Sequence, residues 1–459
     1  MTPFKKPINA RTYAIVRYGC GFPALESPEE AEGILQRLSG PDRMAALWPV
    51  ISFQAVHNAG KNLIEARKDR RNGVAGGEEA EKEWRGWQRT AYIDNFVVDM
   101  IRWAETDDPF RERLHRFWAN HFSARNRSIH LAAGAGGYAE DAIRPHLSGR
   151  FADMLKAVVT HPFMLVYLDQ VASVGPNSPN GRVGGKGLNE NLAREVLELH
   201  TLGVGATYSQ ADVTQFAELL TGLTFNYKRG MSFQPAMAEP GAEQVLGVSY
   251  GGGNPQLKDI ETALDDLARH PATAAHICGK LASHFVADVP DPDLVAQMVQ
   301  AYTASDGDLR TVYGAMLDHP AAWSGFGAKV KQPVEFIASS LRALGVRATH
   351  LLDLKPNYVR KKMLGTLRQM GQEYQRPPGP DGWPDDAAAW VHPHGVAARI
   401  GWAMNVAKRA PDGPPDPRIF VNDALGDAAS DKLVWAAGAA ESRNVGNGLV
   451  LASAEFNRR

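Results

Sequence analysis

Apolar positions recur every three to four residues along most of the chain, the period of an amphipathic helix rather than a strand. The pattern predicts helices over 78–105, 148–159, 162–170, 188–202, 209–221, 258–268, 271–286, 291–303, 308–317, 333–344, 353–369, 387–408 and 444–456. Start signals agree with it. Ser27-Pro28-Glu29-Glu30 combines a capping serine, proline in the first turn and glutamate at the third helical position. Asp108-Pro109 opens another helix by the same logic. The dipeptide His-Pro stands before a helical stretch at His161, His270, His319 and His392. Proline presets the first turn and the histidine sits near the cap, so these are read as punctuation and not as metal ligands. Strand signals are confined to 223–233 and 244–250, a short hairpin or an irregular crossing. Two stretches read as loops: 175–187, rich in Gly and Asn, and 376–385, rich in Pro and Gly. Long loops within a compact domain are usually functional. The fold expectation is mainly α: a large single-domain multi-helix bundle over 1–459 with long functional loops and at most a minor β-hairpin.

Composition narrows the function. The 459 residues hold 50 Lys+Arg and 51 Asp+Glu, a net charge of −1. A balanced chain lacks the basic surface on which nucleic-acid binding rests. Its length permits three domains or one large helical one, with enough core to fold without staples. Two cysteines, Cys20 and Cys278, exclude a disulfide scaffold and a cysteine-built zinc or iron–sulfur site. No apolar run approaches the roughly 20 residues of a membrane span, and no signal peptide is visible. The expected location is cytoplasmic, or periplasmic or exported if an export signal was removed.

The candidate chemistry comes from polar groups on apolar faces. On a helical wheel at roughly 100° per residue, Leu188, Leu192, Val196, Leu199 and Leu202 share an arc of about 120°. Glu195 falls inside that arc, with Asn191 and Glu198 at its edge and Glu190 and Arg194 paired further round. A carboxylate on a buried face must be paired with an arginine, protonated or bound to a cation. His121 projects from the apolar face formed by Phe110, Leu114, Phe117, Trp118 and Phe122, as a hydrogen-bonded core histidine or a site residue. The 162–170 stretch is apolar all round except for Asp169 at its end, where an acid opposes the helix dipole. A cation, an arginine or protonation would favour it there. The 175–187 loop lacks the P-loop spacing, and no dinucleotide fingerprint, His-Glu-x-x-His or Gly-x-Ser-x-Gly elbow occurs. Trp383 is read as a sugar-stacking platform or as a plug over the core.

Six segments resemble a bacterial family known as domain of unknown function 1800. They are Arg116-Phe117-Trp118-Ala119-Asn120-His121-Phe122, Met164-Leu165-Val166-Tyr167-Leu168-Asp169, the run from Gly187 through Asn189-Glu190-Asn191 and Arg194-Glu195 to Val204, His270-Pro271-Ala272-Thr273-Ala274, Lys331-Gln332-Pro333-Val334-Glu335-Phe336, and Pro377-Pro378-Gly379-Pro380-Asp381-Gly382-Trp383-Pro384. The resemblance covers nearly the whole chain but brings no established activity. It implies frequent export and a neighbouring phosphatase-like or sulfatase-like partner. Relatives tend to carry a histidine before an acid where this chain has Ala238-Glu239, which weakens a metal site around 237–241.

The functional expectation is a hydrolase using buried carboxylates, acting on an oligo- or polysaccharide, with no cofactor. Glu195 and Asp169 are the expected acid/base or nucleophile pair, with His121 beside them. Asn189, Asn191, Arg194, Glu190, Trp118 and Trp383 are the expected substrate contacts. Two alternatives are a metal-dependent enzyme holding a divalent Fe, Mn or Zn through His121, Asp169, Glu195, Glu198 and His200, and a non-catalytic partner of the phosphatase- or sulfatase-like protein. No nucleic-acid or membrane partner is expected.

Overall fold

The structure is a computed structural model that describes residues 7–22, 31–184 and 187–459. The start signal at 27–30 therefore lies outside the described residues. The fold is mainly α, as the periodicity predicts, and its minor β component is two antiparallel hairpins rather than one. Leu223–Asn226 pairs with Gly230–Phe233, and Ala242–Val245 with Val248–Gly251.

Side chains pack into two hydrophobic clusters. One gathers Trp118, Phe122, Phe151, Met164, Leu192, Phe216 and Ile277; the other gathers Phe96, Phe336, Ile337, Leu367, Val421 and Leu451. The Gly77–Glu105 helix serves both, giving Ala91 to the first and Ile93 and Phe96 to the second. Among the described residues no helix is long and apolar enough to cross a membrane.

All four His-Pro signals are helix caps. The Nδ1 atoms of His161, His270, His319 and His392 accept from backbone N–H groups of Phe163, Ala272, Ala321 and Gly395 at 3.1, 3.1, 3.2 and 3.1 Å. An imidazole nitrogen here does what a serine or aspartate oxygen usually does, with proline next to it in the first turn.

The helix Phe53–Arg71 was not evident from periodicity. Its buried stripe relies on Ala59, Gly60 and Ala66 beside Phe53, Val56 and Leu63, and small residues register weakly in a hydrophobic pattern. Gly60 is required by contact: a Cβ there would lie 2.5 Å from the His130 carbonyl oxygen.

Candidate functional site

The 188–202 stretch departs from a regular helix in a way that decides its chemistry. It enters the α conformation at Asn191–Glu195 and then widens into a π-helix at Val196–Thr201. Leu202 N–H donates to the Leu197 carbonyl at 3.0 Å, and the Thr201 hydroxyl donates to the Val196 carbonyl at 2.7 Å, both five residues back. The wider turn delays every later side chain relative to a 3.6-residue wheel. His200 is thereby buried at 1% exposure and Thr201 at 0%, positions the wheel left off the apolar face. π-turns of this kind are frequent at functional sites.

Glu195 is the last α residue before the widening. Its carboxyl is half-buried and forms no ion pair among the described residues; its pKa is pushed up to about 7 by burial, with Glu198 and Asp381 adding repulsion. Arg194 moderates this only from a distance, because its guanidinium binds Glu190 at 3.1 Å and Gln210 at 3.1 Å. Asp381 also acts on the Lys280 ammonium, whose pKa is lowered by burial and partly restored by Asp385 and Asp381. The buried Tyr167 phenol feels Arg125, Glu195, Arg127 and Asp381 together, its pKa raised chiefly by burial. Glu195, Asp381, Lys280 and Tyr167 thus form one electrostatic neighbourhood.

The loop that carries Asp381 is strapped down. Asn120 accepts from Trp383 N–H at 2.8 Å and donates back to the Trp383 carbonyl at 2.9 Å. Gly382, at φ +81°, passes so close that a Cβ would lie 2.5 Å from the Asn120 carbonyl oxygen. His284 binds Asp385 at 2.7 Å, the buried Lys329 ammonium donates to the Asp385 carbonyl, and Arg125 donates to Pro378 at 3.3 Å. Gln332 joins from the Pro333–Ala343 helix through Asp385 at 3.4 Å. Trp383 also lines a cavity of about 110 Å³ whose walls include Asp99, His115, Arg116 and Glu140. Trp383 is therefore both a cover and a partly exposed aromatic wall.

Several expected site residues have other roles. Asp169 does not join Glu195: its side chain is 51% exposed and pairs with Arg127 at 2.7 Å. Its residue adopts φ +58° just past the Pro162–Tyr167 helix, so the arginine answers the unfavourable helix end. Trp118 cannot contact substrate, being 0% exposed with its indole N–H donated to Tyr313 at 2.7 Å. His121 is closed in by Phe117, Trp118 and Phe122, and its Nε2 meets the His200 carbonyl at 3.2 Å. Burial, Lys280 and the neighbouring histidines push its pKa well below the usual value. It is a neutral core histidine under the π-turn, and His200 is likewise neutral, with its pKa pushed down to about 3 by burial and Lys280.

Asn189 brackets the chain: its side chain accepts from Asn191 N–H at 2.9 Å and donates to the Asp169 carbonyl at 3.3 Å. Glu190 accepts from Gln210 at 2.9 Å and Thr214 at 2.7 Å, which ties two helices together. The Asn191 side chain is exposed. The five-residue metal set does not assemble, and among the described residues no three His, Cys, Asp or Glu side chains are placed to hold a metal ion. Glu239 has a structural use, receiving Asn177 N–H at 2.9 Å and the Asn177 amide at 2.6 Å to pin the 175–184 loop. Residues 185–186 of that loop lie outside the described residues.

A family model described as "Protein of unknown function (DUF1800)" matches residues 27–458. The chain belongs to this family. No curated protein and no solved structure matches it. The segments that carry the DUF1800 resemblance are also those that build the neighbourhood of Glu195. Asn120 and Gln332 hold the loop, Asp381 and Trp383 ride on it, Tyr167 lies beside it, and the helix opened by His270-Pro271 carries Lys280. Asn120, Asp381 and Lys280 were missed by pattern reading because each meets its partners only through long-range folding.

Proposed function

We propose that this protein is a hydrolase that cleaves a glycosidic bond by carboxyl acid/base chemistry, with Glu195 as proton donor. One observation carries the reading. A half-buried, unpaired carboxyl with its pKa pushed up to about 7 stays partly protonated at neutral pH, as a general acid must. The proton passes from Glu195 to the glycosidic oxygen as its bond to the anomeric carbon breaks. A water oxygen bonds to that carbon, and the proton it sheds goes to a second carboxylate. Asp381 takes this second place instead of Asp169, because of the two carboxylates that repel Glu195, Glu198 and Asp381, Asp381 is the one brought in from a distant segment. Trp383 supplies an aromatic wall of the kind sugar rings stack on.

The test is a reducing-end assay of the purified protein on a panel of oligo- and polysaccharides, with Glu195→Gln and Asp381→Asn beside it. Loss of turnover by at least about 100-fold in Glu195→Gln supports the assignment, on the scale general acids contribute. Full turnover by that variant removes it.

A further inference from the structure

Beside the strapped loop the surface carries a concentration of arginine that the net charge of −1 conceals. One open lobe of about 540 Å³ is lined by Arg125, Arg127, Arg368 and Arg376 and walled by Trp383. A second, of about 520 Å³, is lined by Arg89, Arg360, Arg368 and Arg376 and walled by Tyr92. The lobes share Arg368 and Arg376, so they are two compartments of one groove. Among the described residues Glu373 is the sole carboxylate lining either.

The arginines are held in place rather than merely crowded. Arg368 and Arg376 each donate to the same Glu373 oxygen at 3.0 Å, and the Arg376 guanidinium lies 5.4 Å from the centre of the Tyr92 ring. Arg127 lies 5.5 Å over the Tyr167 ring. Arg127 also pairs with Asp169 at 2.7 Å, and a guanidinium offers five N–H donors, more than one carboxylate contact uses. A single carboxylate shared by two arginines leaves positive charge uncompensated. The segment that supplies Arg360 is a second π-helix, Val359–Leu364, the same irregularity found beside Glu195.

Tyr167, under the Arg127 guanidinium that lines the groove, connects the groove electrostatically with Glu195. That phenol is an electrostatic neighbour of Arg125 and Arg127 on one side and of Glu195 and Asp381 on the other. We infer that the groove is the substrate-binding cleft for an anionic oligosaccharide, whose carboxylate or sulfate groups are gripped by Arg368, Arg376 and Arg125 while a sugar ring faces Trp383. Two adjoining lobes, each pairing arginines with an aromatic wall, fit a repeating chain of charged sugars better than a single small anion. The volumes are in the range of ligand sites. Planar arginine forks suit carboxylate and sulfate oxygens alike. This inference rests on the glycosidase reading and names its substrate class.

Binding separates the two claims, because it needs no turnover. The full-length Glu195→Gln protein is titrated by calorimetry with an oligouronate, a sulfated oligosaccharide, a neutral oligosaccharide of equal length and an oligonucleotide of equal charge. Expected is binding of the uronate or the sulfated chain, at least about 10-fold tighter than the neutral chain and weakened by salt. The tighter of the two identifies the anionic group. Arg368→Gln and Arg376→Gln each weaken it by about 10-fold or more, and Glu373→Gln, which removes the opposing charge, tightens it. A gain of affinity is not produced by partial unfolding. Equal affinity for neutral and charged chains, unchanged affinity in both arginine variants, or preference for the oligonucleotide overturns the proposal. Charge-selective binding by a protein that hydrolyses none of these chains in wild-type form would retain the groove and remove the glycosidase reading.

Discussion

Replacing Glu195 by glutamine should stabilise the protein at alkaline pH and leave it unchanged in acid. Burial and the nearby Glu198 and Asp381 raise this carboxyl from 4.5 to about 7, so the fold favours its protonated form. A group with a raised folded pKa lends stability that is complete below its unfolded pKa and is lost as pH rises through the folded one. The window here runs from about 4.5 to about 7. A rise of this size is worth at most about 3 kcal/mol. The carboxyl is half open to water, which screens the repulsion, so about 1–2 kcal/mol is the expected effect. Glutamine keeps the shape and cannot ionise, so the variant escapes that loss above pH 7. For a chain of this length the unfolding entropy is about 1 kcal/mol/K, so Tm should rise by about 1–2 °C at pH 8.5 and by nothing at pH 4. Glu243, also raised to about 7 by burial and by Glu218 and Glu239, titrates in the same window but is present in both proteins and cancels in the difference. Urea titrations at both pH values give the free energy directly. An equal difference at pH 4 and 8.5, or a loss of stability at pH 8.5, would refute the reasoning, because it would mean the carboxyl is not strained by its surroundings.

Three further outcomes follow from the straps and caps. Asn120→Ala removes both hydrogen bonds to the Trp383 backbone, should cost about 1–3 kcal/mol, and should speed limited proteolysis within 376–385; unchanged cleavage would show that Asn120 does not hold the loop. Gly382→Ala places a Cβ 2.5 Å from the Asn120 carbonyl oxygen at a residue with φ +81°, so the same loop should open to protease and Tm should fall, whereas an unaltered Tm would deny the close approach. His270→Ala should lose about 1 kcal/mol by urea titration, with His270→Asn restoring most of it, because the ring nitrogen caps the Pro271–Phe285 helix; equal stability of all three proteins would remove the capping role.

The helical character, the His-Pro caps and the place of Glu195 on an otherwise apolar face were legible in the chain because each is a local property. A cap needs two residues, and an amphipathic face needs one period. The partners of Glu195 were not legible. Asp169 lies only 26 positions before Glu195 and sits at an apolar helix end, yet it turns outward to Arg127 through a left-handed residue. Asp381 comes from a loop that local pattern marks only as proline-rich, and its placement depends on Asn120 far earlier in the chain. The wheel also assumed 3.6 residues per turn, and the π-turn at Val196–Thr201 broke that assumption, which is why His200 is buried. Trp118 and His121 were legible as members of an aromatic face; that the face closes completely over them is a property of the packed core.

The account stands most directly on the pH profile of hydrolysis by the wild-type protein, set against Glu195→Gln. The prediction is reducing-end release from an anionic oligosaccharide whose kcat falls as pH rises past about 7, the point to which burial moves Glu195. In Glu195→Gln, kcat should drop by about 100-fold or more, with KM little changed. A variant that turns over at the wild-type rate, or a wild-type protein that releases no reducing ends from any chain in the panel, would contradict it.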